Sequence, residues 1–301
     1  MAALQVLSTR PLAGKTAIAV GLAQGFVREN LRVSLLRQGS GPAAEADAIS
    51  FASYLFASTP GRPVSDASGQ ASGAGEIVII ESDVGAEPMA GVPAILAVRG
   101  EVSEADVNLG RALGDRLIGS IATDVPPGRV EAVARDLTNG SLRPLALIPE
   151  DRTLAAPSVG EIRETLAAEV LYEGENDLEV VEDVLIAPVF ADPARPHFRR
   201  FASKAVLAPY NKTDLHLAAI ETQAACLVIT GGGEPSPYVA DRARGEATTV
   251  LLTREETPET LASLSEVWLR SRFRGERKAE AAYQHLASRL DFAALARKLA
   301  G

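Results

Sequence analysis

Cysteine occurs once in the 301-residue chain, at Cys226, and histidine three times, at His197, His216 and His285. A single thiol excludes an internal disulfide framework and any multi-cysteine metal site, and three scattered imidazoles argue against zinc. No apolar run reaches about 18 residues and no basic segment opens the chain, so neither a membrane span nor a signal peptide is expected. Positive charge is in short supply: 30 Lys and Arg face 39 Asp and Glu, a formal net charge of −9. The phosphates of a nucleic acid would be repelled except at a local basic patch, so no nucleic-acid partner is expected. The chain reads as reduced and cytoplasmic. What it does have is 47% hydrophobic and 23% charged residues, ample for a buried core, in a length that suggests two domains.

The chain is organised around its first strand-to-helix junction. Residues 4–7 read as a largely apolar strand, a turn of small residues follows, and Gly14-Lys15-Thr16 opens an apolar helix over 14–29. That order suits a P-loop: helix N–H groups and the positive dipole end favour a phosphate, Lys15 adds a point charge, and the Thr16 hydroxyl can ligate Mg²⁺. Thr9 stands where the G-x-x-x-x-G-K-[ST] pattern has its first glycine. A strand over 31–37 completes a βαβ unit, and residues 43–57 read as a helix with Glu45 and Asp47 in its first turn. Residues 60–75, rich in Ser and Gly, read as a mobile surface loop. The β-branched run 76–80 then leads into Glu81 and Asp83, just past the carboxyl end of a strand, where open α/β sheets bind ligands and a Walker-B-type acid belongs. Further strands over 93–98, 116–122 and 142–148 alternate with helices over 103–113 and 129–137, which predicts a doubly wound parallel sheet.

Residues 149–157 look like a boundary. Beyond it a second, smaller α/β unit is expected, with a helix over 159–168, strands over 170–172, 204–209, 226–230 and 248–253, helices over 213–222 and 236–244, and a break at Asp192 to Pro196. Residues 256–301 read as a helical C-terminal segment, giving domains 1–157, 158–255 and 256–301. His216 and Cys226 read as packed residues, and Arg270, Arg272, Arg274, Arg277 and Lys278 as a solvated face. Asn211 to Asp214 reads as the cap of the following helix. Gly231-Gly232-Gly233 before a helix raises an anion site, against which Glu234 and two prolines weigh.

The stretch Ile148-Pro149-Glu150-Asp151-Arg152 through Pro157, with Asn211-Lys212-Thr213-Asp214-Leu215 and Val228-Ile229-Thr230-Gly231-Gly232, resembles the DRTGG domain. The order of P-loop domain then DRTGG domain resembles the N-terminal regulatory half of long phosphotransacetylases, and the first domain is similar to dethiobiotin synthetase. The acyltransferase domain of those proteins does not follow in this sequence, so phosphate acetyltransferase activity is not expected of it. The resemblance implies nucleotide contacts, with ATP or a related nucleotide as cofactor, from Thr9, Arg10, Ala13, Gly14, Lys15, Thr16, Ala17 and Arg37. It implies Mg²⁺ ligands at Thr16, Asp47 and Glu81, a homo-oligomer formed through the DRTGG-like domain, and a metabolic enzyme as partner. Departures carry weight too. Arg37 replaces a lysine of the synthetase pattern, Ser82-Asp83 replaces a glycine-rich turn, and Thr123 replaces the asparagine that reads adenine. The segment between Asp47 and Glu81 is short for the synthetase's substrate wall. Three readings follow: a nucleotide-binding regulatory or sensor protein, an ATP-dependent ligase of the dethiobiotin synthetase or cobyrinate amidating type, and a scaffold whose loop has lost its ligand. The missing lysine and short insert favour the first, with slow ATP hydrolysis left open.

Overall fold

The computed structural model describes residues 2–65, 76–174, 179–187 and 190–300, with the Arg270 side chain outside the description. The chain forms two compact units, residues 1–154 together with 275–301, and residues 155–274. The loop expected to be mobile falls largely outside the described residues, at 66–75.

The first unit runs β1 (Ala2–Ser8), α1 (Lys15–Arg28), β2 (Arg32–Arg37), α2 (Pro42–Ala52), β3 (Glu76–Glu81), β4 (Ala94–Arg99), α3 (Glu104–Leu113), β5 (Leu117–Val125), α4 (Val130–Asn139), β6 (Pro144–Pro149) and α5 (Arg152–Ala155). Its six strands are ordered β2-β3-β1-β4-β5-β6 and every pairing is parallel. Leu4, Val6, Leu7 and Ile77 to Ile80 are at most 4% exposed, because central strands of a parallel sheet are covered on both faces. The strand order reverses at β1: the chain leaves it for β2 on one side and later passes it to reach β4, β5 and β6 on the other. Open α/β sheets bind ligands at the carboxyl ends of strands around such a point. Helix α2 is shorter than the predicted 43–57. Glu45 lies in its first turn and Asp47 one turn further on.

The C-terminal segment is not a separate piece. Helices α12 (Glu276–Ala287) and α13 (Phe292–Ala300) complete the first unit, although the expected segment began at 256. The reason lies in α1, where Gly21 and Gly25 leave one face bare. A Cβ on Gly21 would stand 3.1 Å from the Ala282 carbonyl carbon, and one on Gly25 only 2.1 Å from the Phe292 ring. Phe292 packs edge-on against Phe26 with ring centroids 5.8 Å apart, and Glu280 accepts from Arg28 and Gln24, each at 2.7 Å. Lys278, read from the sequence as solvated, is buried.

The second unit runs α6 (Val159–Leu166), β7 (Glu169–Tyr172), β8 (Asp183–Ile186), α7 (Ala191–Phe198), β9 (Lys204–Pro209), α8 (Thr213–Glu221), β10 (Cys226–Thr230), α9 (Pro237–Glu246), β11 (Thr249–Leu252), α10 (Thr257–Ser265) and α11 (Val267–Arg270). Its sheet is ordered β7-β11-β10-β9-β8, parallel except where β7 runs antiparallel to β11. The expected break at Asp192 to Pro196 is instead α7. Pro193 sits in the first turn, where an N–H has no intrahelical partner, and the fully buried Ala194 and Phe198 offset the bond lost at Pro196. Helices α10 and α11 belong here, since Leu264 and Val267 join Val159, Ile162 and Leu166 in one core cluster.

Phe292→Ala is expected to lower the unfolding free energy of the first unit by about 3 kcal/mol, as for other buried phenylalanines. Urea unfolding is the measurement. An unchanged first-unit transition would mean that α13 is not part of its core.

Candidate functional site

The carboxyl end of β1 leads through residues 9–14 into α1. Gly14 caps the helix with φ 71°, a left-handed conformation for which glycine has no steric penalty, and no side chain caps the helix start. The first helical hydrogen bond there runs from Ile18 N–H to Gly14 C=O, at 2.9 Å. The N–H groups of Gly14, Lys15 and Thr16 are engaged by no hydrogen bond among the described residues. Lys15 is 7% exposed and its Nζ donates to Ser8 Oγ at 3.0 Å. Burial lowers the Lys15 pKa, against the pull of Glu81.

Thr9 and Arg10 tie the loop to neighbouring elements. Thr9 Oγ1 donates to Asp106 Oδ1 at 2.5 Å, and Arg10 Nη2 reaches Arg99 O at 3.0 Å and Glu101 O. Asp106, 1% exposed, also closes a capping box with Ser103 at the start of α3. Thr123 Oγ1 donates to Ala13 O at 3.1 Å, and a Cβ on Gly14 would lie 2.8 Å from Thr123 Cγ2. Thr123 therefore backs the loop. Ser8 and Asp106 are the residues that sequence reasoning missed. The Ser103-x-x-Asp106 capping pattern was legible, but its reach to Thr9 is a contact across 97 positions.

Parallel register sets Arg37 directly beside Glu81 at the ends of β2 and β3. Arg37 is 5% exposed and spends every guanidinium nitrogen. Its Nε donates to Asp47 Oδ2 at 3.0 Å and lies 3.9 Å from Glu81 Oε1; its Nη2 donates to Asp83 Oδ1 at 2.7 Å; its Nη1 donates to the carbonyls of Gln38 and Glu81. Burial works against the Arg37 charge, but Glu81, Asp83 and Asp47 outweigh it and hold its pKa above the ordinary value. Gly39 makes the approach of Asp83 feasible: at φ 143° it lacks a Cβ that would fall 2.3 Å from Asp83 Oδ2. Arg37, expected to face phosphate, is thus turned to carboxylates.

Among the residues expected to hold Mg²⁺, Thr16 and Glu81 meet, with Thr16 Oγ1 donating to Glu81 Oε1 at 3.1 Å. Glu81 is 3% exposed and its Oε2 is buried with no hydrogen-bond partner. Such an orphaned carboxylate oxygen beside a threonine hydroxyl fits a hard cation. Asp47 is held by Arg37 instead, and among the described residues no three His, Cys, Asp or Glu side chains converge to hold a metal. Desolvation first, then repulsion from Asp47, raises the Glu81 pKa to about 7, over the pull of Arg37 and Lys15.

In the second unit the loops after β9, β10 and β11 lie along the carboxyl edge of the sheet. The expected side-chain cap at Asn211 to Asp214 is not formed. Lys212 is the cap residue, and its carbonyl accepts from Leu215 and His216. Of the three glycines, Gly231 N–H donates to Glu255 O at 2.8 Å and Gly232 N–H to Thr253 O at 3.0 Å, so the turn is spent on closing the loop against β11. His216 is buried with Nε2 2.9 Å from Pro209 O, and burial lowers its pKa. Burial pushes the Cys226 thiol up to about 12, which leaves it unreactive.

Residues 161–267 match the DRTGG domain. The DRTGG region therefore covers α6 through the start of α11, nearly all of the second unit. The phosphate acetyltransferase of Nitratidesulfovibrio vulgaris is 26% identical over 171 residues, 52% of this chain and 24% of that protein. The chain thus spans about a quarter of the length of that curated relative. Among solved structures, the CBS and DRTGG domains of the regulatory region of Clostridium perfringens pyrophosphatase, complexed with diadenosine tetraphosphate, align with a TM-score of 0.34 and 18% identity. That alignment covers 58% of this chain and 74% of the other, and at so low a score no geometry transfers between them.

The raised Glu81 pKa has a definite sign. Between its ordinary value near 4.5 and about 7, the folded protein keeps a proton that the unfolded chain has released. Stability from this group is therefore greatest below that window, falls as pH rises through it, and is flat above. In metal-free buffer, Glu81→Gln is expected to remove this fall, so wild type should lose on the order of 3 kcal/mol relative to the variant from pH 4.5 to pH 7.5. Parallel pH profiles from urea unfolding would contradict it.

Proposed function

We propose that this chain is a nucleotide-binding regulatory protein of the cytoplasm, whose phosphate site is the P-loop formed by Thr9 to Ala17. The observation that carries the reading is the row of unengaged N–H groups at Gly14, Lys15 and Thr16 on the end of a 14-residue helix, with the Lys15 ammonium beside it. A helix N-terminus of this kind attracts phosphate through its dipole and its free donors. ATP or a related nucleotide is the proposed ligand. Mg²⁺ is proposed to sit with Thr16 and Glu81, where it would neutralise charge on the bound phosphates. Thr9, Arg10 and Thr123 keep the loop rigid for binding, while Arg37, spent on carboxylates, is not free to assist transfer to an acceptor. That allocation supports binding over ligase chemistry, because phosphoryl transfer depends on charges placed around the moving group.

The match to the DRTGG domain and the partial match to a phosphate acetyltransferase support a regulatory setting. We propose that the second unit self-associates and that a metabolic enzyme is the partner whose activity the bound nucleotide biases.

Mg·ATP at 100 times its Kd is expected to add about 2.7 kcal/mol of stability. For a domain of this size that raises Tm by about 5 to 10 °C, read by thermal shift. Lys15→Ala should abolish the rise. An unmoved wild-type Tm with ATP, ADP, GTP and CTP would refute the nucleotide site. Light scattering on the full chain at tens of micromolar should give at least a dimer, and a clean monomer would contradict self-association.

A further inference from the structure

We infer that Arg37 is an internal cation that competes with a divalent metal for Asp47 and so bars a metal ion that arrives without nucleotide. The inference rests on the phosphate-site reading above and adds to it what keeps an uncomplexed metal ion out. Three carboxylates surround this position. In a pocket without Arg37, the carboxylates of Asp47 and Glu81 would be free for a cation at the Thr16 hydroxyl, oxygen donors of the kind that hard divalent cations take. With Arg37 present, Asp47 Oδ2 is held at 3.0 Å and Asp83 Oδ1 at 2.7 Å, and the guanidinium lies 3.9 Å from the oxygen of Glu81 that meets Thr16. A divalent ion at Thr16 and Glu81 would stand against that fixed positive charge and would find Asp47 already taken.

The one oxygen left over points to what the pocket lacks. Glu81 Oε2 is buried and bonded to nothing, while the other oxygen of the same carboxylate takes the Thr16 hydroxyl. Asp47 is the carboxylate for which Arg37 and a metal would compete. A lysine at position 37, a point charge on a flexible stem, could not hold Asp47 and Asp83 together as the fork does. Gly39, with its φ of 143°, is the backbone concession that lets Asp83 close on Arg37.

The test is Mn²⁺ binding by the full chain without nucleotide, followed by the loss of the free-ion electron paramagnetic resonance signal. Wild type is expected to bind Mn²⁺ weakly, and Arg37→Gln to bind one Mn²⁺ at least tenfold more tightly, with the gain lost in Arg37→Gln combined with Asp47→Asn. Arg37→Gln binding no more tightly than wild type would overturn the inference. So would a gain that survives Asp47→Asn. Circular dichroism reports folding, and if Arg37→Gln fails to fold, Arg37→Lys decides: it keeps the charge but loses the fork, so it should bind Mn²⁺ more tightly than wild type, and equal binding overturns the inference. None of these measurements uses nucleotide. A failed thermal shift with ATP would therefore count against the phosphate site, and a failed Mn²⁺ comparison against the role of Arg37.

Discussion

A guanidinium taken out of water must be met by carboxylates or it will not stay there, and Arg37 is the clearest instance in this protein. Desolvating a charge costs several kcal/mol, and removing one partner of a buried pair typically costs about 3 to 5 kcal/mol. Arg37 ends β2, Glu81 ends β3, Asp83 follows β3 and Asp47 lies on α2, so one side chain fixes three pieces of the carboxyl edge of the sheet. The parallel register that sets Arg37 opposite Glu81 is what makes this cluster form. The same cluster brings Glu81 to Thr16 on α1, and through Thr16 it reaches the loop.

Thr9, Arg37 and Thr123 are three of the positions where the sequence departs from the P-loop and synthetase-like patterns. Each is spent on holding the site together. Thr9 is tied to Asp106, Arg37 to Asp47 and Asp83, and Thr123 to the Ala13 carbonyl. Polar side chains that hydrogen-bond within a buried network make it rigid, and they are then not available to a second reactant.

The second unit uses its polar backbone differently. Its glycine-rich turn closes on β11 through Glu255 and Thr253 carbonyls, and its buried histidine is bound to a strand-end carbonyl. Lys204, 1% exposed, donates to the Phe201 and Thr222 carbonyls, the second of them at the C-terminal end of α8. These buried groups thus serve the unit's own architecture.

The alternation of apolar strands and helices, by itself, determined the parallel sheet of the first unit, because strands covered on both faces read as short continuous apolar runs and the helices between them supply the crossovers that parallel strands need. It also determined the loop at Gly14-Lys15-Thr16 and the acid at Glu81, since these lie at junctions that local order defines. Local signals misread α7, where prolines suggested a break that two buried residues override, and the solvated face, where Lys278 is buried. Tertiary structure alone decided that α12 and α13 return to the first unit, although Gly21 and Gly25, four residues apart on an apolar helix, were the trace of it in the sequence. It alone decided that Arg37 faces carboxylates, that Thr9 is anchored to Asp106, and that Asp47 is withheld from Glu81. Each of these is a contact between side chains distant in sequence or set by strand register, and local propensity carries no information about which partner a buried charge will find.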